Sequence, residues 1–511
     1  MEDSEFDKES SIMIKSICSF FITIAIILVS ENILALDIDE KINDIISPIS
    51  DTVVAIVFFS IKISDNISIP LIVVWLIIAA VFCTVYFGFV NIRHFGTAIK
   101  IINNKNIESK APGEVSHRQA FWTACAATVG LGNIAGVAIA VSLGGPGATF
   151  WMILAGLLGM SLKFCECTLG VKYRVINKDG TVSGGPMYYL SRGLKEIGLE
   201  TLGKYLAIFF SICCIGGALG GGNMFQANQS FQQFLNITGG QDSFFVDKAW
   251  LYGFVMAIIL GVVIIGGIKS IARVTEKLVP FMAVIYVLAA ITIIILNSSL
   301  IGEAINLIIK GAFTGEGVTG GFVGVLIQGF RRAAFSNEAG LGSAPIAHSA
   351  VKTNYPVTEG FVSLLEPFLD TVIICTMTAL VIIITGMHLN ANELSGIELT
   401  SKAFEKDIFF FPYVLAIASI LFAFSTMISW SYYGLKSWTY IFGKNKNNEN
   451  IFKLIFCLFV IFGSSVSVNS VIDLSDSMMF LMALANIIGV YLLASKVKKE
   501  LNIYLKIKSS E

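Results

Sequence analysis

Between Gln119 and Leu143 the chain reads QAFWTACAATVGLGNIAGVAIAVSL, a stretch long enough to cross a bilayer but interrupted at its centre by Gly130, Gly132 and Gly136. A membrane helix needs about 20 apolar residues and must satisfy its own backbone groups. A centre weakened by Gly, Thr and Asn is therefore tolerated only where the released N–H and C=O groups meet protein, water or a ligand. That is the pattern of a transport site at mid-depth.

Composition supports the membrane reading. Of 511 residues 55% are hydrophobic and only 14% charged, which is too apolar for a soluble protein of this length. A net charge of -1 with no basic block offers nothing to nucleic acid, and no CxxC, HExxH or phosphate-loop pattern occurs. The nine cysteines all fall in apolar segments, where they read as small packing residues rather than ligands or disulfides.

The N-terminal segment 1–36 begins polar, then carries an apolar run from Ile12 to Ser30 behind Lys15. With a start at Met13 this resembles a secretory signal, and otherwise it is an extra spanning helix. Residues 37–69 are acidic and amphipathic and are expected outside. Pro70 to Val90 is a spanning helix, and ten apolar segments follow, near 119–143, 147–171, 203–236, 250–268, 278–297, 320–348, 359–387, 408–441, 451–468 and 471–495. The transporter domain is thus 70–496, with a tail at 497–511. Placing the loop 91–118 inside and alternating from it puts 24 Lys and Arg on that side against 6 opposite. The positive-inside rule then fixes a cytoplasmic C-terminus in a multi-pass plasma (inner) membrane protein.

An internal echo follows. Gly130-Leu131-Gly132-Asn133-Ile134-Ala135 returns 210 residues later as Gly340-Leu341-Gly342-Ser343-Ala344-Pro345, each in the first helix of a group of five. Five is odd, so the two groups run in opposite senses. The fold expected is all-α integral membrane, a five-plus-five inverted repeat with one additional helix in front. Matching interrupted helices in inverted halves point to a midplane substrate site, whereas a Gly pair alone only lets helices pack closely.

Polar residues inside spans are the second signal, because burying them is costly unless they are paired. Asn223 and Gln226 share a face at helical spacing, where amides can meet an ammonium or a carboxylate or simply join helices. Ser425 and Thr426 can offer hard oxygens to a small cation or bond back to their own helix, with Trp430 one turn on. Arg331, Arg332, Glu338, Glu366 and Asp370 read as structural or gating ion pairs, as does Lys163 with Glu166. His348 reads as a packing residue. A channel would need a continuous polar stripe and a membrane enzyme an acid, base or metal cluster at the membrane face; neither is visible.

The runs ATVGLGNIAGVA from Ala127, GGGNMFQANQ from Gly220, GFRRAAFSNEAGLGSAPIAH from Gly329 and FSTMISWSYYG from Phe424 resemble the alanine or glycine:cation symporter family, over roughly Pro70 to Lys496. The resemblance implies sodium- or proton-coupled uptake of small neutral amino acids, alanine and glycine, with no enzymatic chemistry. Glutamine is the runner-up substrate, and a monomer is the expected working unit. It implies that the substrate carboxylate sits on N–H groups at Leu131 and Gly132, that Asn223 and Gln226 bind substrate, and that Trp430 limits side-chain size. A co-transported sodium would lie between main-chain carbonyls of Ala126 and Val129 and the hydroxyls of Ser425 and Thr426. One departure stands out: many relatives have Thr where this chain has Leu131, and some have an acidic residue near Ala127.

Overall fold

The computed structural model describes residues 52–64, 67–103, 111–314, 321–390, 394, 396–466 and 468–510. The possible signal or extra helix in 1–36 lies outside them, as does the first part of 37–69. What is described of the latter is a short helix, 52–57, and a hairpin of β1 (Ser60–Ser64) and β2 (Ile67–Pro70) that pairs Lys62 with Ser68.

Each apolar segment from residue 70 onward is largely helical over its described residues. In chain order these helices are α1 (Leu71–Tyr86), α2 (His117–Thr128), α3 (Ala135–Gly144), α4 (Ala148–Lys172), α5 (Glu200–Ile237), α6 (Ala249–Ile264) and α7 (Gly267–Leu296). Then come α8 (Gly321–Asn337), α9 (Ala344–His348), α10 (Pro356–Ile384), α11 (Phe411–Phe442), α12 (Lys446–Ser465) and α13 (Val468–Ser510). Among the described residues seven helices are long and apolar enough to cross a membrane, or eight if the bent pair α2 and α3 counts as one span. The sequence suggested eleven crossings. The difference lies in α1 and α6, each of 16 residues, and in α8 and α9, divided by a break and carrying Arg331 and Arg332.

The first break has a clear local cause. Ser116 caps α2 in a reciprocal box with Gln119, which starts the helix firmly. At its other end Gly130 is extended, and its N–H donates to Asn133 Oδ1 at 2.8 Å instead of continuing the helix. The chain turns 54° before α3 resumes, and the Ile134 carbonyl released by the turn accepts from Thr400 Oγ1 at 3.0 Å.

The second break is built from left-handed backbone. Glu338, Gly340 and Gly342 have φ of 58°, 90° and 82°, a region glycine enters without penalty and Glu does not. Pro345 in the first turn of α9 suits a fresh helix start. The breaks meet: Asn133 Nδ2 donates to Asp370 Oδ1 at 2.6 Å and Ser336 Oγ to Oδ2 of the same carboxylate at 2.9 Å. Asp370 on α10 thus clamps one broken helix to the other.

The core lies where α4, α5, α10, α11 and α13 pack around these breaks, while α6, α7 and α12 sit outside it. Phe254, Ile258, Val262, Phe281, Val284 and Leu288 are exposed on α6 and α7, an apolar surface suited to lipid chains. The seven cysteines of α1, α2, α4, α5 and α10 are buried and unpaired, and Cys457 is half-buried, in line with packing roles; Cys18 lies outside the described residues.

Candidate functional site

Beside the first break, the Leu131 N–H donates to Gln226 Oε1 at 3.2 Å. Gln226 reaches it from α5, whose helix widens into a π-helical turn over Gly220–Met224, and Nε2 of the same amide returns to Gly221 O at 3.0 Å. From α11, Thr426 Oγ1 donates to Ala126 O at 3.0 Å and Ser429 Oγ to Thr123 O at 2.8 Å. These two bonds lay α11 along the end of α2, and they direct hydroxyl oxygens at carbonyls of the turn that precedes the break.

Glycine is required by close approach here. A Cβ on Gly130 would lie 2.4 Å from Thr426 Oγ1 and 3.2 Å from Gln226 Oε1. On Gly222 it would meet Trp430 Cγ at 2.2 Å, so the indole of Trp430 rests on bare backbone. Trp430 Nε1 donates to Glu338 Oε1 at 3.0 Å, tying α11 to the second break; Glu338 Oε2 in turn accepts from Ser343 Oγ. Gly132 faces Ser336 and the Phe335 ring, 3.6 and 3.7 Å from where its Cβ would stand.

The structure therefore brings together Ala126, Leu131, Gly132, Gln226 and Thr426, with Trp430 and Phe335 as neighbouring walls. Two residues singled out from the sequence have other partners. Asn223 Nδ2 donates to Phe456 O of α12 at 2.6 Å while its Oδ1 is buried and unpartnered. Ser425 Oγ donates to Phe422 O at 2.9 Å and lies 3.8 Å from Met282 Sδ. Val129 closes the last turn of α2, its N–H donating to Cys125 O at 2.7 Å. Phe335 escaped the sequence reading although it directly precedes Ser336, because a lone Phe in an apolar helix carries no signal.

The buried charges pair across helices rather than along them. Lys163 donates to Glu366 at 2.8 Å, not to Glu166; Glu166 accepts from Asn486 of α13. Arg331 and Arg332 both pair with Asp476. His348, expected to be a packing residue, bonds through both ring nitrogens to Glu359 and Glu366. Among the described residues Asp370 makes no ion pair and serves as the acceptor at the helix junction.

A bundle of membrane-length helices in which two broken helices meet beside buried amides and hydroxyls is an arrangement suited to a solute transporter. The model of the sodium:alanine symporter family matches residues 51–511, and the chain belongs to that family, a family of membrane transporters and not of enzymes. It is 38% identical to the sodium/alanine symporter AgcS of Methanococcus maripaludis, over 86% of this chain and 96% of that protein. It is 32% identical to the probable sodium/glutamine symporter GlnT of Bacillus subtilis, over 86% and 89%. The fold resembles that of MhsT in its crystal structure with L-phenylalanine, with a TM-score of 0.55 at 16% identity, over 75% of this chain and 89% of that one.

Proposed function

We propose that the protein imports small neutral amino acids, alanine and glycine, together with sodium by alternating access. The observation that carries this reading is the junction itself: two broken helices clamped by Asp370, with an N–H at Leu131, an amide at Gln226 and a hydroxyl–carbonyl pair at Thr426 and Ala126 within one neighbourhood. A helix interruption presents N–H groups to a carboxylate. In this reading the substrate carboxylate takes the Leu131 and Gly132 N–H groups, and Gln226 turns its oxygen from Leu131 to the ammonium. Asn223 joins from α5 on leaving Phe456 O, and Trp430 with Phe335 limits the substrate to a small side chain.

Sodium is cargo here. Ala126 O and Thr426 Oγ1 are neutral hard oxygens 3.0 Å apart, the donor type a small cation prefers. Val129 and Ser425 complete the set once α11 shifts against α2. The ion thereby draws α11 onto the first break and favours the arrangement that binds amino acid. One charge falling through about 100 mV releases about 2.3 kcal/mol, enough for a gradient of tens-fold.

The element order supports a five-plus-five inverted repeat, α2 with α3 through α7 against α8 with α9 through α13, preceded by α1. Residues 70–496 form the transporter domain, with a cytoplasmic tail at 497–511, and a monomer in the plasma membrane is the working unit. A second reading, carriage of glutamine, draws on the likeness to GlnT, and proton coupling is the alternative for the ion. The test is uptake of labelled alanine, glycine and glutamine into proteoliposomes with an inward sodium gradient or with choline in its place. Accumulation of alanine and glycine only in sodium is expected; equal uptake in choline overturns sodium coupling, and uptake of glutamine alone overturns the substrate assignment.

A further inference from the structure

A chain of buried titratable groups runs from the start of α2 to the middle of α4, apart from the residues gathered at the first break. His117 Nδ1 bonds to Glu359 Oε2, and Glu359 Oε1 to His348 Nδ1 at 2.5 Å. His348 Nε2 bonds to Glu366 Oε1, and Glu366 Oε2 accepts from Lys163 Nζ at 2.8 Å. His117 is 5% exposed and the other four are fully buried. The chain ties α2 and α9, which flank the two breaks, to α10 and α4.

Were His117 charged as well as His348 and Lys163, its Nε2–H would be a buried cationic donor with no acceptor, since Nε2 meets no polar partner. A buried charged donor without an acceptor is expensive, so this arrangement favours one proton fewer at that end. Its location follows from the bonding. His348 faces a carboxylate at each ring nitrogen, so both nitrogens must carry hydrogen, and Lys163 needs its charge to hold Glu366. His117 is then the neutral member, donating from Nδ1 to Glu359 and bearing only a lone pair on Nε2. Consistent with this, His117 Nε2 is buried and meets no polar partner.

Other charged and titratable groups around the chain are engaged elsewhere or lie apart from Nε2. Arg118 pairs with Glu276 of α7 at 3.2 Å, Glu114 accepts from the Val182 N–H, and Arg174 donates to carbonyls of Pro112, Ser349, Val351 and Thr353. Lys100 is exposed, and Lys352 is partly so. At the inner end of the chain Glu166, Glu338, Cys125, Cys167 and Tyr433 surround Lys163 and Glu366.

We propose that His117 Nε2 is a proton-binding site, filled from the solution at the 111–116 loop, whose occupancy opens the neighbouring ends of both broken helices. The proton adds to the Nε2 lone pair and makes an imidazolium whose new N–H has no acceptor in this packing. That state is relieved when the start of α2 meets water, and α2 and α9 separate from α10 together. Applied to the symport cycle, which rests on the function proposed above, acid on that side holds the carrier open inward and slows its return.

The site is tested on full-length protein in lipid nanodiscs with nitrogen-15 histidine, titrated by NMR from about pH 8 to about pH 5, the range where histidine titrates. The expected result is a His348 with both ring nitrogens protonated throughout, and a His117 that passes from neutral to imidazolium. His117→Gln assigns that signal by removing it; Glu359→Gln keeps the ring and should move its titration to lower pH. A His117 that holds one protonation state throughout, or a His348 with a bare nitrogen at neutral pH, overturns the proposal. In proteoliposomes at a fixed sodium gradient, alanine uptake should fall roughly tenfold per pH unit as the interior is acidified below the midpoint, and His117→Gln should abolish that dependence. An unchanged profile in His117→Gln overturns the link to transport. Absence of uptake at every pH instead counts against symport and leaves the NMR titration to decide the proton site.

Discussion

At the scale of single residues, Gly130 concentrates the constraint. Its φ of -142° is open to any residue, so what forbids a side chain is the 2.4 Å approach of Thr426 Oγ1. Gly130→Ala is expected to cut sodium-driven alanine uptake more than about tenfold while lowering stability by about 1–3 kcal/mol, the usual cost of overpacking. Adding Thr426→Ala should restore stability in thermal unfolding but not uptake, because the same change removes an oxygen proposed to hold sodium. A double variant that regains uptake would remove Thr426 from the ion site. That Gln226 and Thr426 lie beside the first break was foreshadowed by glycines and polar groups that stand out against apolar spans. The partner of Asn223 was not. Its spacing from Gln226 implies a shared face only at 3.6 residues per turn, and the π-helical turn at Gly220–Met224 carries Asn223 toward Phe456. Lys163 shows the same limit: an i,i+3 neighbour is visible in sequence, whereas Glu366, 203 positions away, is not.

At the scale of elements, the two breaks hold their shape through one shared acceptor. Asn133 does more at this joint than Ser336, since its Oδ1 takes the Gly130 N–H and its Nδ2 reaches both the side chain and the carbonyl of Asp370, while Ser336 gives that carboxylate a single strong bond. Each buried polar group left without a partner costs about 1–3 kcal/mol. Asn133→Ala should therefore destabilise the protein clearly more than Ser336→Ala, read as the shift of the thermal unfolding midpoint in detergent. Equal shifts would mean that Asp370 does not clamp the junction. The positions of both breaks could be read from the repeated Gly-x-Gly, because backbone freedom leaves a mark in the sequence. Their meeting at Asp370 could not, since a carboxylate inside a span looks the same whether it pairs with a cation or gathers amides and hydroxyls.

At the scale of the whole molecule, charge and length together support the orientation proposed above. α13 has 43 residues, about 65 Å at 1.5 Å per residue, twice the roughly 30 Å hydrocarbon core. One end must leave the bilayer, and Lys496, Lys498, Lys499, Lys506 and Lys508 all lie in its last part. Neighbouring loops on that side are laced by similar contacts: Lys496 bonds to Glu196, and the Lys444 ammonium on Asp179, together with Thr181, holds the Asp179 carboxyl well below the usual carboxylate range. In the proposed orientation lysine at this density lies on the cytoplasmic face, and the exposed turn at Leu389 lies on the opposite one. Since the described cysteines are buried or half-buried, introduced thiols can be read with little background. Leu389→Cys should react with a membrane-impermeant maleimide in intact cells, whereas Ser509→Cys should react only after permeabilisation. The reverse pattern would invert the bundle, and with it the proposed direction of sodium-driven amino acid transport past the two broken helices.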